Sequence, residues 1–408
     1  MLTRRYLSAL TTFVLAALFS GSQLMAMPEA GASDTPKPIA KTAFTLFHNR
    51  IYLPVKVNDV GPFEMILDTG AAVSGLSEAT AQSVGLHTKS GAQLTGNGES
   101  RLKIAIAKNV KFQVGAAEVS EKQVAIVPFQ QLESHEGRRV DGVLGVNLFR
   151  SFVVVIDYGN RTLEIYNPQS FKYHGAGVIV PLHYENAALF KATIEIDGGR
   201  AIDCTLALDS GTYSALRLYR PFVQKNQLLA TATPRIDSFG FGIGGEFKEK
   251  LGRVQALTIG GIKLMEPGTS FSEANSGATS AANYDGTIGG EILARFKITF
   301  DYPHQQMTLE PSSNLSQPFP VDNSGMIVGL NGAGENTITV VHVLKATPAE
   351  RAGIQEGDTI LTIDDEDALT LGVEGVRRLF QKPGVYRIQM RRGAQAQEVV
   401  LKANKPLY

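Results

Sequence analysis

The sequence predicts a mainly β protein: two homologous lobes related by a pseudo-twofold axis, then a smaller α+β domain. Three observations carry this. First, short runs of Val, Ile and Phe alternate with Gly, Asn and Asp, and the 408 residues include 41 glycines and no tryptophan; this is the punctuation of strands and hairpins. Second, the chain repeats itself. "EMILDTGAAVSGL" recurs as "TLALDSGTYSAL", so Asp68 matches Asp209 141 positions later. "VDGVLGVNLFRSFVVVIDYGNRTLEIY" recurs as "YDGTIGGEILARFKITFDYPHQQMTLE", pairing Asp141 with Asp285 and Asp157 with Asp301, each 144 positions apart. Between these anchors "FQVGAAEV" matches "LTIGGIKL", pairing Gly115 with Gly260. Landmarks recurring in one order indicate a duplicated unit, and two similar halves suggest twofold pseudo-symmetry. Third, the Pro/Ser-rich "PSSNLSQPFP" separates the repeat from a segment of different pattern.

The elements follow in chain order. Arg4 and Arg5 precede an apolar run of 14 residues, Tyr6 to Phe19, and then small and polar residues up to Ala26. This is the pattern of a secretory signal, residues 1–26, too short for the ~20 residues that cross a bilayer. It predicts a periplasmic or secreted protein with no stable membrane insertion. Residues 27–43, rich in Pro, Ala and Ser, read as a linker. Lobe 1 is placed at 44–168 and lobe 2 at 178–311, with linkers at 169–177 and 312–320 and the last domain at 321–405. Each lobe reads as an opening hairpin, an Asp loop, a glycine-rich hairpin, another strand pair, an Asp-Gly turn into a short helix, and a closing hairpin.

Composition excludes several classes. Lys+Arg and Asp+Glu balance at 39 each, which marks no nucleic-acid partner. The single cysteine, Cys204, forbids an intrachain disulfide; its place in "AIDCTLALDSG" reads as a small buried hydrophobe. The seven histidines form no His-Glu-x-x-His motif or Cys/His cluster, so neither a metal site nor a cofactor is expected. "DDEDA", from Asp364, lacks the ligand spacing of a calcium loop and reads as a solvated turn. Ser100 and Lys103 sit three apart in an alternating strand, which sends them to opposite faces.

One loop carboxylate per half has a chemical consequence. On a pseudo-twofold axis Asp68 and Asp209 would face each other, and two adjacent carboxylates share a proton. The charged member can take a proton from water while the neutral member protonates an amide carbonyl. Gly70 and Gly211 would let the loops approach, and Thr69 and Ser210 would supply hydroxyls that tie them. The glycine-rich stretches containing Gly96 and Gly98, and Gly242, Ile243, Gly244 and Gly245, suit hairpin tips that close over an extended peptide. Asp141, Asp157, Asp285 and Asp301 read as structural turn residues.

"LDTGA" with "DGVLGVNLF", and "LDSGT" with "DGTIGGEILARFKITFDY", resemble the two lobes of aspartic proteases of the pepsin and retropepsin clan. The resemblance covers Phe44 to Pro311 and is nearest to a retropepsin dimer fused into one chain. It implies that Asp68 and Asp209 are catalytic and that Val143-Leu144-Gly145 and Thr287-Ile288-Gly289 support the Asp loops. It also implies that Gly242 to Gly245 form a flap. The flap tyrosine of pepsin-like enzymes has no counterpart in either stretch. From Val321 to Lys405, "ATPAERAGIQEGDTIL", a helix around Val373 to Phe380 and a final hairpin resemble a PDZ domain. This implies capture of a peptide C-terminus by a loop at Ser324, Gly325, Met326 and Ile327. The expectation is an exported, monomeric aspartic endopeptidase acting on peptides or proteins, with a PDZ-like module that recruits or regulates. The rival is a peptide-binding protein that kept the fold without turnover.

Overall fold

The computed structural model describes residues 36–185, 187–230, 233–280, 283–331 and 336–408. The predicted signal, and the linker as far as residue 35, lie outside the described residues.

Each lobe is a curled β sheet opened by a hairpin. In lobe 1, Arg50–Val57 pairs antiparallel with Val60–Leu67. Their turn places Asn58 and Asp59 at φ 47° and 67°, the left-handed pair that matches strand twist in tight hairpins. In lobe 2, Ala188–Ile196 pairs with Arg200–Leu208 around Gly198 and Gly199. The second strand of each hairpin then takes a parallel neighbour from the supporting element. Leu67 lies beside Leu144 of Gly142–Leu144, and Leu208 beside Ile288 of Gly286–Ile288. The recurring aspartates serve these crossings. Asp141 accepts from the Glu64 amide at 3.0 Å, and Asp285 from the Thr205 amide at 2.8 Å. Asp157 caps the Asn160 turn at 2.9 Å. These are the structural roles expected of Asp141, Asp157 and Asp285.

A six-stranded antiparallel sheet joins the lobes and displays the pseudo-twofold. Its order is Ala40–Ala43, Thr162–Tyr166, Val153–Asp157, Phe296–Asp301, Gln306–Pro311, Val178–Pro181. Three strands come from each half, and the axis passes where Val155 faces Thr299 and Ile156 faces Ile298. Two boundaries are thereby corrected. Ala40–Ala43 is an edge strand paired with Thr162–Ile165, because it completes for lobe 1 what Val178–Pro181 completes for lobe 2; it is not linker. The stretch 312–320 is also tied down. The Arg295 guanidinium donates to the carbonyls of Asn314, Leu315 and Gln317 and lies 3.5 Å over the Phe319 ring.

One apolar core runs through both lobes, with Phe149, Ile156, Ile298 and Phe300 fully buried near the axis. Cys204 is buried in it, as expected. A separate core lies between the sheet and the long helix of the last domain and includes Val340, Ile360, Val376, Phe380 and Ile388. That sheet runs Met326–Leu330, Ile338–Val343, Thr359–Ile363, Gly384–Arg392, Gln395–Ala403. Its helix spans Ala368–Phe380 with a break at Gly372, φ 67°. The predicted Val373 to Phe380 is the part beyond the break. "DDEDA" is a turn with Asp364 and Asp365 at positive φ, and no His/Cys/Asp/Glu cluster suited to a metal occurs among the described residues. Residues 36–408 form one compact unit, so this domain is docked on the lobes.

Candidate active site

Asp68 and Asp209 leave the ends of equivalent strands and meet at the axis. The Asp68 amide donates to Leu144 O at 2.9 Å, and the Asp209 amide to Ile288 O at 3.1 Å. The predicted supporting elements therefore set the height of each aspartate. The loops are then cross-tied. The Thr69 amide donates to Ser210 Oγ, and the Ser210 amide to Thr69 Oγ1, each at 3.0 Å. Ser210 Oγ in turn donates to Leu67 O at 2.8 Å. Thr69 and Ser210 are both buried, so every one of these bonds is shielded from competing water.

The two glycines allow the approach. A Cβ on Gly211 would stand 2.2 Å from Asp68 Cγ, and one on Gly70 would stand 3.0 Å from Asp209 Oδ1. Each glycine thus lies against the opposite carboxyl. The Gly70 amide also donates to Asp68 Oδ1 at 2.7 Å.

Burial, followed by the neighbouring Asp209 charge, pushes the Asp68 carboxyl up to about 7. Burial raises Asp209 too, opposed first by the Arg217 and then by the Arg50 guanidinium. Two buried carboxyls that face each other share a proton and titrate as a unit. The cations beside Asp209 favour it as the ionised member.

The glycine-rich stretches roof this pair. Thr88–Thr95 with Arg101–Val114 forms one hairpin, and Ile236–Gly242 with Gly245–Arg253 the other. Their tips bond to each other: Gly98 N to Ile243 O, and Ser100 N to Gly244 O, both at 3.0 Å. A Cβ on Gly96 would stand 2.3 Å from Ile243 O, and one on Gly98 would stand 2.1 Å from the Gly244 carbonyl carbon. Gly244 and Gly245 turn their hairpin at φ 94° and 92°. Beneath the tips lies a cleft of about 310 Å³, with Ile66, Val127 and Phe129 on the lobe 1 side and Ala207, Tyr219 and Tyr284 on the lobe 2 side. The cleft has the size and apolar lining of a small-ligand or side-chain site.

Several buried charged groups escaped the sequence reading. Arg50 donates through Nε to Gly211 O at 2.6 Å and reaches Glu136 at 2.5 Å. Burial alone would raise the Glu136 carboxyl, yet the Arg50 charge holds it well below the ordinary range. Arg217 is 2% exposed, 4.9 Å from the Phe247 ring and 3.9 Å from Glu249. Its signal was present: a lone charge within the apolar "SALRLY" is expensive to bury without a task. Arg50 and Glu136 carry no such signal, since both lie at element boundaries where charge is ordinary.

The PDZ-like loop is partly occupied by its own chain. Of the four residues expected to receive a carboxylate, Ser324, Gly325 and Met326 have amides with partners within the chain. Ser324 N and Gly325 N donate to Asp322 at 3.2 and 2.7 Å, and Met326 N donates to Ser324 Oγ at 3.0 Å. An Asx-type turn closes the loop on itself.

Comparison with known families agrees with this geometry. Residues 53–148 match the family model of an aspartyl protease, and residues 339–385 that of a PDZ domain. The first match contains Asp68 and its supporting Val143-Leu144-Gly145; Asp209 lies outside it and is linked to Asp68 by the internal repeat. No curated protein matches the chain significantly.

Proposed function

We propose that the chain is an aspartic endopeptidase that hydrolyses peptide bonds with a water held between Asp68 and Asp209. The observation that carries this reading is the reciprocal tie of Thr69 and Ser210 beneath two facing carboxyls. A turn aspartate has no use for a partner from the other lobe.

The steps follow from the asymmetry of the pair. Asp209, favoured as carboxylate by Arg217 and Arg50, takes a proton from the water as its oxygen attacks the peptide carbon. Asp68 gives its proton to the carbonyl oxygen, producing a neutral gem-diol. The diol then collapses: Asp209 delivers its proton to the amide nitrogen, the C–N bond breaks, and Asp68 recovers a proton from the diol hydroxyl. The flap hairpins exclude bulk water and hold an extended chain by its backbone. Both carboxyls come from one chain, so a monomer is sufficient. The leader pattern supports action outside the cytoplasm.

The test is cleavage of an unstructured protein from pH 3 to 8 by the mature chain and by Asp68→Asn and Asp209→Asn. Both variants should fold and bind peptide while turnover vanishes. Cleavage surviving in either folded variant would refute the dyad. Peptide binding by the wild type without cleavage at any pH would establish the binding-protein rival.

A further inference from the structure

The groove of the PDZ-like domain, between the strand Met326–Leu330 and the helix Ala368–Phe380, is engaged by the protease lobe. The lobe 1 helix Gln130–Glu136 packs on both elements that border it. A Cβ on Gly137, which ends that helix, would stand 2.6 Å from Val373 Cγ2, and a Cβ on Gly329 would stand 3.0 Å from Ser134 O. Arg377 lies one helical turn beyond Val373, on the same face. It donates to Val328 O of the strand at 2.9 Å and to His135 O of the lobe 1 helix at 2.7 Å. A peptide adding to a sheet edge needs such backbone acceptors. Here Arg377 holds Val328 O, and Asp322 and Ser324 hold the loop amides.

The same contacts reach the flap. The His135 ring stacks on Phe241 at 4.0 Å. From the PDZ-like domain, His342 stacks on Phe239 at 4.2 Å and bonds Glu246 at 3.1 Å. Phe239, Phe241 and Glu246 all belong to the lobe 2 flap hairpin, whose tip bonds the opposite flap.

We propose that the PDZ-like domain is an autoinhibitory brace, its groove closed by lobe 1 and its His342 holding the lobe 2 flap shut over the cleft. A peptide entering the groove must displace Arg377 from Val328 O and push back the lobe 1 helix, which frees His135 from Phe241. Groove occupancy and flap opening are therefore coupled through one helix, and the coupling is reciprocal. That opening admits substrate rests on the protease reading above; the brace itself does not.

The experiment compares full-length wild type with His342→Ala and Arg377→Met, which act at opposite ends of the brace. Amide exchange across 236–253 should quicken about two- to fivefold in each, the scale of one partly exposed polar contact. Exchange in Val153–Asp157 and Phe296–Asp301 should stay as in the wild type, which reports an intact fold. Cleavage of an unfolded protein should gain in kcat/KM by a similar factor. His342 and Arg377 are both half-buried and lie in different elements, so each variant guards against misfolding of the other. Unchanged flap exchange in folded His342→Ala would overturn the brace even if the chain is a protease. Quickened exchange with no cleavage by any variant would leave the brace standing and remove the protease reading.

Discussion

The two lobes share a backbone plan and surround their aspartates with different chemistry. In lobe 1, Gly75 lies opposite Val143 in the short strand behind the loop; in lobe 2, the equivalent place, opposite Thr287, is taken by Arg217. Lobe 1 secures its loop with neutral and acidic partners: Ser74 Oγ donates to Glu121 at 2.5 Å and accepts from Gly145 N at 2.9 Å. Lobe 2 buries a guanidinium beside Glu249, itself raised by burial. At Asp68 the leading influence against protonation is the Gly70 amide; at Asp209 it is the Arg217 charge. A duplicated fold thus need not yield duplicated acidity. Unequal surroundings are what hydrolysis by a carboxyl pair requires, one member charged and one neutral.

The largest effect that would break this comparison is loss of either carboxylate. Asp68→Asn or Asp209→Asn should lower kcat by about 10³-fold or more, the range of a lost acid–base group with its electrostatic contribution. Steady-state cleavage assays on variants with unchanged circular dichroism would check it. Should one variant retain substantial turnover, the lobes would not be partners.

Next is the tie between the lobes. Ser210→Ala leaves the buried Thr69 amide without an acceptor and Leu67 O without a donor, at a cost of about 2–3 kcal/mol. Thr69→Ser retains the hydroxyl and should cost under about 1 kcal/mol. Urea unfolding of both variants would sharpen the comparison.

Third is the pH dependence of stability. The folded Asp68 carboxyl sits at about 7, whereas an unfolded aspartate titrates near 3.9. Between these values the folded state binds more protons, so stability should decline as pH rises from about 4 to about 7. Asp68→Asn removes this penalty and should stabilise the protein by about 2 kcal/mol at pH 8, with little gain at pH 4. Thermal unfolding at both values decides it; equal effects at the two pH values would contradict a buried, proton-sharing pair.

The smallest effect tests the asymmetry itself. Arg217→Met removes the leading charge that opposes protonation of Asp209, so the acidic limb of the kcat/KM profile should move to higher pH. The loss at pH 5 should be about tenfold, equivalent to about one pKa unit. An unchanged acidic limb would mean that Arg217 serves packing over Phe247 rather than the dyad.

Much of the fold was legible because duplication writes the same constraint twice. Asp68 and Asp209, the glycines behind them and the apolar-apolar-Gly supports are recognisable by register alone, and the structure brings all of them to the axis. The flap glycines were legible for the same reason, since tight tips demand residues without Cβ. The edge strand Ala40–Ala43 was not. Four residues of ordinary composition after a proline-rich stretch become a strand only because Thr162–Tyr166 offers an unpaired edge. Nor was the closed PDZ-like loop, where the choice between an external carboxylate and Asp322 depends on a side-chain direction that spacing does not reveal.

The sequence by itself determined a duplicated β fold, one aspartate per half, the residues that let two loops meet, and a third domain of recognisable pattern. These are local or repeated constraints, set by backbone geometry and hydrophobic period. Tertiary structure alone decided that Arg50, Glu136 and Arg217 surround the dyad with charge and that Arg377 and His342 join the third domain to the flap. Those contacts link residues far apart in the chain, and an electrostatic interaction acts through distance in space, to which order in sequence is blind.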